Sequence, residues 1–496
     1  MLYQSTRNEN TKINASLAIA QGLSKDGGLY VPEAFPVIKP YDLKNLISMP
    51  YQKRSAYTMG LFLNEFTAKE LELYTNTAYN TKTYDCAGIA PLHMISENTY
   101  FLELWHGPTC AFKDMALQVM PHLLIQSLRK TNDGRNVCVL VATTGDTGKA
   151  ALEGFCDIAG VNIIVFYPKN GVSEIQELQM TSQRGDNVCV KAVEGNFDDT
   201  QTGVKAIFSD NELALKLDKK GYFLSSANSI NWGRLVPQIA YYISAYCDLL
   251  ADGKIKQGEK INFCVPTGNF GNILAAYYAY KIGLPIGKLI CASNRNDVLT
   301  QFINTGAYDK NRAFFTTISP SMDILVSSNL ERLLFELSDK DGGIVSSYMS
   351  SLAGKGSYAV PKPILEQIQQ IFASGYCSEE DTKKAIKKTW ENHSYLIDTH
   401  TAVGYKAMCD YRANTGDESL AVVVSTASPY KFCESVLEAL GQPSSRSGTG
   451  LMDELSELTN TPIPAPLTQL GSLPQRFSGS IKRNDMGRAV MKFLGG

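Results

Sequence analysis

Lys113 lies in HGPTCAFKDMALQ (106–118), beside the start of an apolar face formed by Met115, Ala116, Val119, Met120, Leu123 and Leu124. The i, i+3, i+4 spacing predicts a helix beginning at the lysine, with Pro121 kinking or ending it. A helix N-terminus carries partial positive charge, so an ammonium there is disfavoured. Trp105 and Phe112 supply apolar surroundings that disfavour it further. A lysine whose pKa is lowered in this way suits a Schiff-base nucleophile or a general base. The bland use of a lysine, with its stem on apolar surface and its head in water, is commoner. Pattern alone leaves both open.

Three other stretches set Gly, Thr, Ser and Asn between an apolar run and a helical one: VATTGDTG (141–148), VPTGNFGN (265–272) and VVSTASP (423–429). In a parallel sheet such turns fall at the carboxyl edge, and the helix starts that follow offer N–H groups to an anion. TGNFGN is the better phosphate cup. Gly268 and Gly271 free its backbone, Asn269 and Asn272 are polar, and no acidic residue repels the anion. TTGDTG carries Asp146, which argues against a phosphate there; its hydroxyls and N–H groups suit a substrate's carboxylate and amine. As a plain structural element Asp146 reads as a helix N-cap, the commoner use on pattern.

These turns need elements to hold them. YFLELW, VCVLVA (137–142), VNIIVFYP, VCVKAV (188–193), INFCVP (261–266), KLICAS and AVVVST (421–426) read as strands alternating with amphipathic helices. That alternation predicts an α/β protein with parallel strands covered by helices on both faces. Residues 1–95 are mixed in pattern and read as an N-terminal subdomain with helical stretches SLAIAQGL and LFLNEFTAKELELYT. Residues 96–440 form the core, and the Pro/Gly/Ser-rich residues 441–496 read as an extended segment packing over it.

The chain has 496 residues and a net charge of −2 at pH 7, which favours neither a nucleic-acid partner nor an anionic membrane. No apolar run reaches spanning length, and MLYQSTRNENTKINAS has no signal-peptide core. Eleven cysteines, scattered and without CxxC, predict reduced thiols in a cytoplasmic enzyme. The five histidines show no ligand spacing, so no metal site is expected. GxGxxG and GxxxxGK[ST] are both missing, which disfavours a dinucleotide enzyme and a P-loop protein.

HGPTCAFKDMALQ resembles the lysine segment of threonine synthases, pyridoxal-phosphate enzymes of the tryptophan-synthase-β type. The likeness continues in LAIAQGLSKDGGLYVP (17–32), ATTGDTGKAA (142–151), NSINWGRL (228–235), SNRNDVL (293–299), SMDILVSSNLERLLFEL (321–337), DTHTAVG (398–404) and STASPYKF (425–432). It implies fold type II: two open, twisted, mostly parallel sheets covered by helices, with a smaller mobile domain at about 115–235. It implies pyridoxal 5'-phosphate as cofactor, bound covalently to Lys113, its phosphate among Gly268, Asn269, Phe270, Gly271 and Asn272, and its ring nitrogen at Thr426. By the same resemblance Thr144, Asp146 and Thr147 line the amino-acid side of the substrate, and Asn228, Asn231 and Arg234 its phosphate end. The implied reaction turns the small molecule O-phospho-L-homoserine and water into L-threonine and phosphate, in a monomer or homodimer. Related phospholyases and serine/threonine dehydratases are the nearest alternatives, and a non-catalytic metabolite sensor is the rival of another class. One departure stands out: the family usually reads T-A-H-P where this chain has Thr426-Ala427-Ser428-Pro429.

Overall fold

The computed structural model describes residues 1–495, apart from the side chain at position 198. The larger sheet has six strands in the order Phe372–Tyr376, Ile286–Ser293, Ile261–Pro266, Ala421–Ser425, Thr99–Glu103 and Leu92–Ser96, and only the last pair is antiparallel. The smaller has five parallel strands in the order Ser480–Ile481, Val188–Val193, Val161–Pro168, Asn136–Ala142 and Tyr222–Ser226. Alternation along each strand sends neighbours into different cores. Phe263 and Val265 join the main cluster and Cys264 a second one, whereas Val139 and Val141 join the main cluster and Leu140 a third. Both sheets are thus buried on two faces, and their inner faces share one core, as uninterrupted Val/Ile/Leu runs require.

Strands dense in β-branched residues fall where the sequence places them; the polar or short ones do not announce themselves. Tyr222–Ser226 and Leu92–Ser96 lie at sheet edges, and Leu2–Ser5, Asn8–Asn14 and Tyr30–Pro32 make a small sheet before residue 95. The helical stretch LFLNEFTAKELELYT divides into Tyr51–Phe62 and Ala68–Ala78. Thr67 caps the second helix by accepting from Glu70 N–H, and Glu70 reaches back to the Thr67 N–H.

The expectation of an extended segment after residue 440 is corrected. Helices Gly450–Thr459 and Met486–Phe493 form there, because Leu451, Met452, Leu455, Met486 and Val490 are buried. Pro, Gly and Ser mark only the connections between these elements. Gly496, the last residue of that segment, lies outside the described residues. Among the described residues every cysteine is free, no grouping of side chains could hold a metal ion, and no helix is long and apolar enough to cross a membrane.

Lys113 caps only a single helical turn, Asp114–Leu117; the helix resumes at Met120–Lys130. Pro121 has no N–H to offer the Leu117 carbonyl, so the helical ladder is interrupted there. Gly154 of the helix Asp146–Phe155 fills the approach to that carbonyl, and a Cβ on Gly154 would collide with the Leu117 oxygen. This backbone contact locks the lysine turn onto the helix that carries Asp146. Gly154→Ala is therefore expected to cost about 1–3 kcal/mol in a denaturant melt. Gly134→Ala, where nothing lies within 4 Å, should stay within about 0.5 kcal/mol of the parent.

Candidate active site

Strand ends converge to build the site. The chain leaving Thr99–Glu103 runs alongside the chain leaving Ala421–Ser425: Leu104 N–H donates to Ser425 O at 3.0 Å, Phe112 N–H to Thr426 O at 2.8 Å, and Ser428 N–H to Cys110 O at 3.0 Å. These bonds set Lys113 beside Thr426. Asp114 ties the preceding turn by accepting from Thr109 N–H at 2.8 Å and Thr109 Oγ1 at 2.7 Å. From the smaller sheet, Asn136–Ala142 feeds the turn at Thr143, whose hydroxyl accepts from Gly145 and Gly148 N–H. From the larger sheet, Ile261–Pro266 feeds the loop at 267–270, and Phe270, in the left-handed region at φ 61°, starts the helix Gly271–Lys281. A non-glycine residue there is strained, and such strain collects where a turn must aim its N–H groups.

Together these turns wall a cleft of about 940 Å³, counted out into the solvent at its mouth. Lys113 is 8% exposed. Its Nζ donates to Asp146 Oδ2 at 3.2 Å and Ser321 Oγ at 3.4 Å, and lies 4.6 Å from the Phe112 ring centre. Burial lowers the lysine pKa; Asp146 opposes this and Lys431 reinforces it, and the outcome stays below the ordinary value. Burial would raise the pKa of Asp146, but Lys431 and Lys113 outweigh it and hold the carboxyl well below the usual range.

Of the expected residues, Lys113, Thr144, Asp146, Thr147, Asn228, Arg234, Gly268, Asn269, Phe270, Gly271, Asn272 and Thr426 all line the cleft. Asn231 does not. Its amide donates to Ile19 O and Ser226 O and accepts from Gly233 N–H, capping the helix Trp232–Ala251. Asp146 is the first residue of its helix rather than the cap, which is Gly145. Both its oxygens are already taken, Oδ1 by Gln176 Nε2 at 2.8 Å and Lys431 Nζ at 2.7 Å, and Oδ2 by Lys113 and Ser321. Arg234 is buried and donates to Ala227 O.

Sequence reasoning missed His400, Ser321 and Lys431. His400 Nδ1 bonds Asp398 at 2.7 Å, and its Nε2 accepts from Ser321 N–H at 3.1 Å. DTHTAVG and STASPYKF contain two of the three, but no local spacing marks them. Ser428, at the departure from T-A-H-P, is fully buried, and its hydroxyl accepts from Tyr430 N–H at 3.3 Å. It caps the turn Pro429–Lys431.

The pyridoxal-phosphate dependent enzyme family matches residues 75–427, and the chain belongs to it. The threonine synthase N-terminal region matches residues 2–79 and the threonine synthase C-terminal region residues 401–487. Threonine synthase of Pseudomonas aeruginosa is 39% identical over 89% of this chain and 91% of its own length. The solved structure of pyridoxal-phosphate-bound threonine synthase from Brucella melitensis superposes with a TM-score of 0.87 at 34% identity, covering 100% of this chain and 98% of the other. Within the pyridoxal-phosphate enzymes, then, the chain is a member of the threonine synthase family. Human threonine synthase-like 1 is 41% identical over 86% of this chain, which spans 58% of that relative's length.

The cofactor is pyridoxal 5'-phosphate, and the cleft fits it. Asn272 Oδ1 accepts from Tyr241 and Tyr242 hydroxyls at 2.5 and 2.6 Å, while its Nδ2 is a buried donor with no protein partner. Arg234 Nε is likewise buried and unpartnered. Orphaned donors lining a cleft are satisfied by an anionic, acceptor-rich ligand. Gly268 presses against the 3-10 turn Pro320–Met322: a Cβ there would lie 2.5 Å from Ser321 O.

At the start of the lysine segment His106 bridges two carboxylates, Nδ1 to Asp85 at 2.6 Å and Nε2 to Glu103 at 2.7 Å. Burial lowers its pKa, but Asp85 and Glu103 prevail and push it up to about 9 from 6.5. A raised pKa means that the imidazolium favours the fold; this contribution is complete below about pH 6.5 and fades as pH rises to about 9. His106→Gln should lower stability by up to about 3 kcal/mol near pH 6. The gap to the parent in denaturant melts should narrow steadily by pH 9.

Proposed function

We propose that the protein is a threonine synthase, converting O-phospho-L-homoserine and water to L-threonine and phosphate, the last step of threonine biosynthesis. The observation that carries this reading is the meeting, in one cleft, of a buried low-pKa lysine with two separate orphaned donors, Asn272 Nδ2 and Arg234 Nε. A cofactor phosphate and a substrate phosphate would satisfy them separately.

Lys113 holds the cofactor, the loop Gly268–Asn272 its phosphate, and the Thr426 hydroxyl its ring nitrogen. When bound, the cofactor supplies an electron sink for the pair left on the substrate's carbons. Thr144 and Thr147 hold the substrate carboxylate. Arg234 and Asn228 take the substrate phosphate. Burial brings the guanidinium down to a pKa of about 10, so it is still charged at neutral pH. Lys113 Nζ, when not bonded to the cofactor, would take the proton at Cα and then one at Cβ as phosphate leaves Cγ, return a proton to Cγ, accept the proton of the single water that adds at Cβ, and reprotonate Cα. Its lowered pKa fits it to act as base and acid in turn. Asp146 and Ser321 steady the amine between transfers. Phe112 and Phe197 wall the cleft, and closure of the smaller domain, about 115–235, keeps bulk water out. The protein works in the cytoplasm as a monomer or homodimer on a small-molecule substrate.

The protein supplied with pyridoxal phosphate should absorb near the visible edge, and both borohydride and Lys113→Ala should abolish that band. Incubated with O-phospho-L-homoserine, it should release phosphate and threonine; 2-oxobutyrate in place of threonine would assign it to the phospholyases, which eliminate phosphate without rehydration, and overturn the proposal. Arg234→Met should raise KM for phosphohomoserine at least 100-fold, the loss of about 3 kcal/mol when a buried charge pair loses one partner. Cofactor absorbance should survive that substitution.

A further inference from the structure

Two buried ammoniums face a single buried carboxylate. Lys431, fully buried, puts Nζ 2.7 Å from Asp146 Oδ1 and donates to Thr109 O at 2.9 Å. Lys113 has Asp146 Oδ2 at 3.2 Å and Ser321 Oγ at 3.4 Å. The shares are unequal. Lys431 has two close acceptors and no place on the cleft wall, whereas Lys113 has two long ones and faces the cleft. Two like charges sharing one carboxylate in a low dielectric disfavour each other, and the one with weaker hydrogen bonds gives up its proton.

The surroundings hold Lys431 in place. Ser428 caps the turn that carries it, and the Lys431 carbonyl accepts from Ser173 Oγ at 3.2 Å, at the cap of the helix Glu174–Thr181. The other titratable groups around the cluster do not substitute for it. Arg234 and His400 lie on the cleft wall, Cys110 is a buried thiol, Asp114 is spent on Thr109, and Asp398 on His400.

We propose that Lys431 is a positioning residue: it keeps Asp146 paired as a carboxylate, so that Lys113 enters the cleft as a neutral amine. The inference rests on the reading of Lys113 as the cofactor-binding base. It also gives the turn at Ser428 a task, which is to aim Lys431. Without the Lys431 charge, Asp146 would turn wholly to Lys113 and hold its proton.

The test is the pH dependence with which the full-length protein, freed of cofactor, captures added pyridoxal phosphate on Lys113, trapped by borohydride and read by mass spectrometry of the lysine peptide. In Lys431→Met and Lys431→Gln the midpoint should move up by at least one pH unit, a tenfold gain in proton affinity, while Lys431→Arg should stay within about 0.3 unit of the parent. Unmoved midpoints in folded neutral variants would overturn the proposal. Should neither neutral variant fold, ε-13C lysine shifts of the unaltered protein decide: Lys431 must stay charged while Lys113 loses its proton, and the reverse order overturns it. Failure of the parent to capture the cofactor, or capture that survives Lys113→Ala, would instead fell the reading of Lys113 itself.

Discussion

Asp146 is the carboxylate on which the site is hung. It starts a helix of the smaller sheet, yet its partners come from elsewhere: Lys113 from the chain leaving Thr99–Glu103 in the larger sheet, Lys431 from beyond Thr426, Ser321 from the turn Pro320–Met322 that packs on Gly268, and Gln176 from the neighbouring helix. A buried carboxylate is tolerated only when every lone pair is met, so the cluster obliges five chain segments to meet in one arrangement. Losing Gln176 or Ser321 would leave a buried carboxylate oxygen short of a donor, and losing a lysine would upset the charge balance, which makes the cluster a constraint on fold as well as on chemistry.

Around that cluster, backbone contacts do the aiming. Residues 110–112 are bonded to 426–428, Gly154 abuts the Leu117 carbonyl, and Gly268 abuts the Ser321 carbonyl. Three buried side-chain atoms of residues lining the cleft are left without a protein partner: Asn272 Nδ2, Arg234 Nε and Asn228 Oδ1. Unpartnered side-chain donors suit the cleft to an anionic, acceptor-rich ligand, and burial lowers the pKa of the lysine that lines it.

The same separation explains what could be read in advance. Strands such as INFCVP and VNIIVFYP were legible because burial on both faces demands unbroken apolar runs, and the glycine-rich turns because few residues allow that backbone. The short turn at Lys113 was legible only in part: periodicity ran through Pro121, but the proline interrupts the helix. Asn231 entered as a ligand only through the resemblance of NSINWGRL; its amide is consumed by capping and by Ile19 O, a partner 212 residues away. The helices after residue 440 were hidden by the prolines and glycines between them.

Composition and order along the chain thus determined the parallel α/β layers, the three turns at the strand ends and the unusual position of Lys113, since each follows from local periodicity and backbone preference. Tertiary structure alone decided that Lys431, His400 and Ser321 gather at that lysine. Thr109 and Lys431 are 322 residues apart, and Ser321 and His400 are 79 apart. No local pattern encodes such pairs, because their meeting depends on which strands and turns lie side by side, and that is a property of the whole core rather than of any one segment.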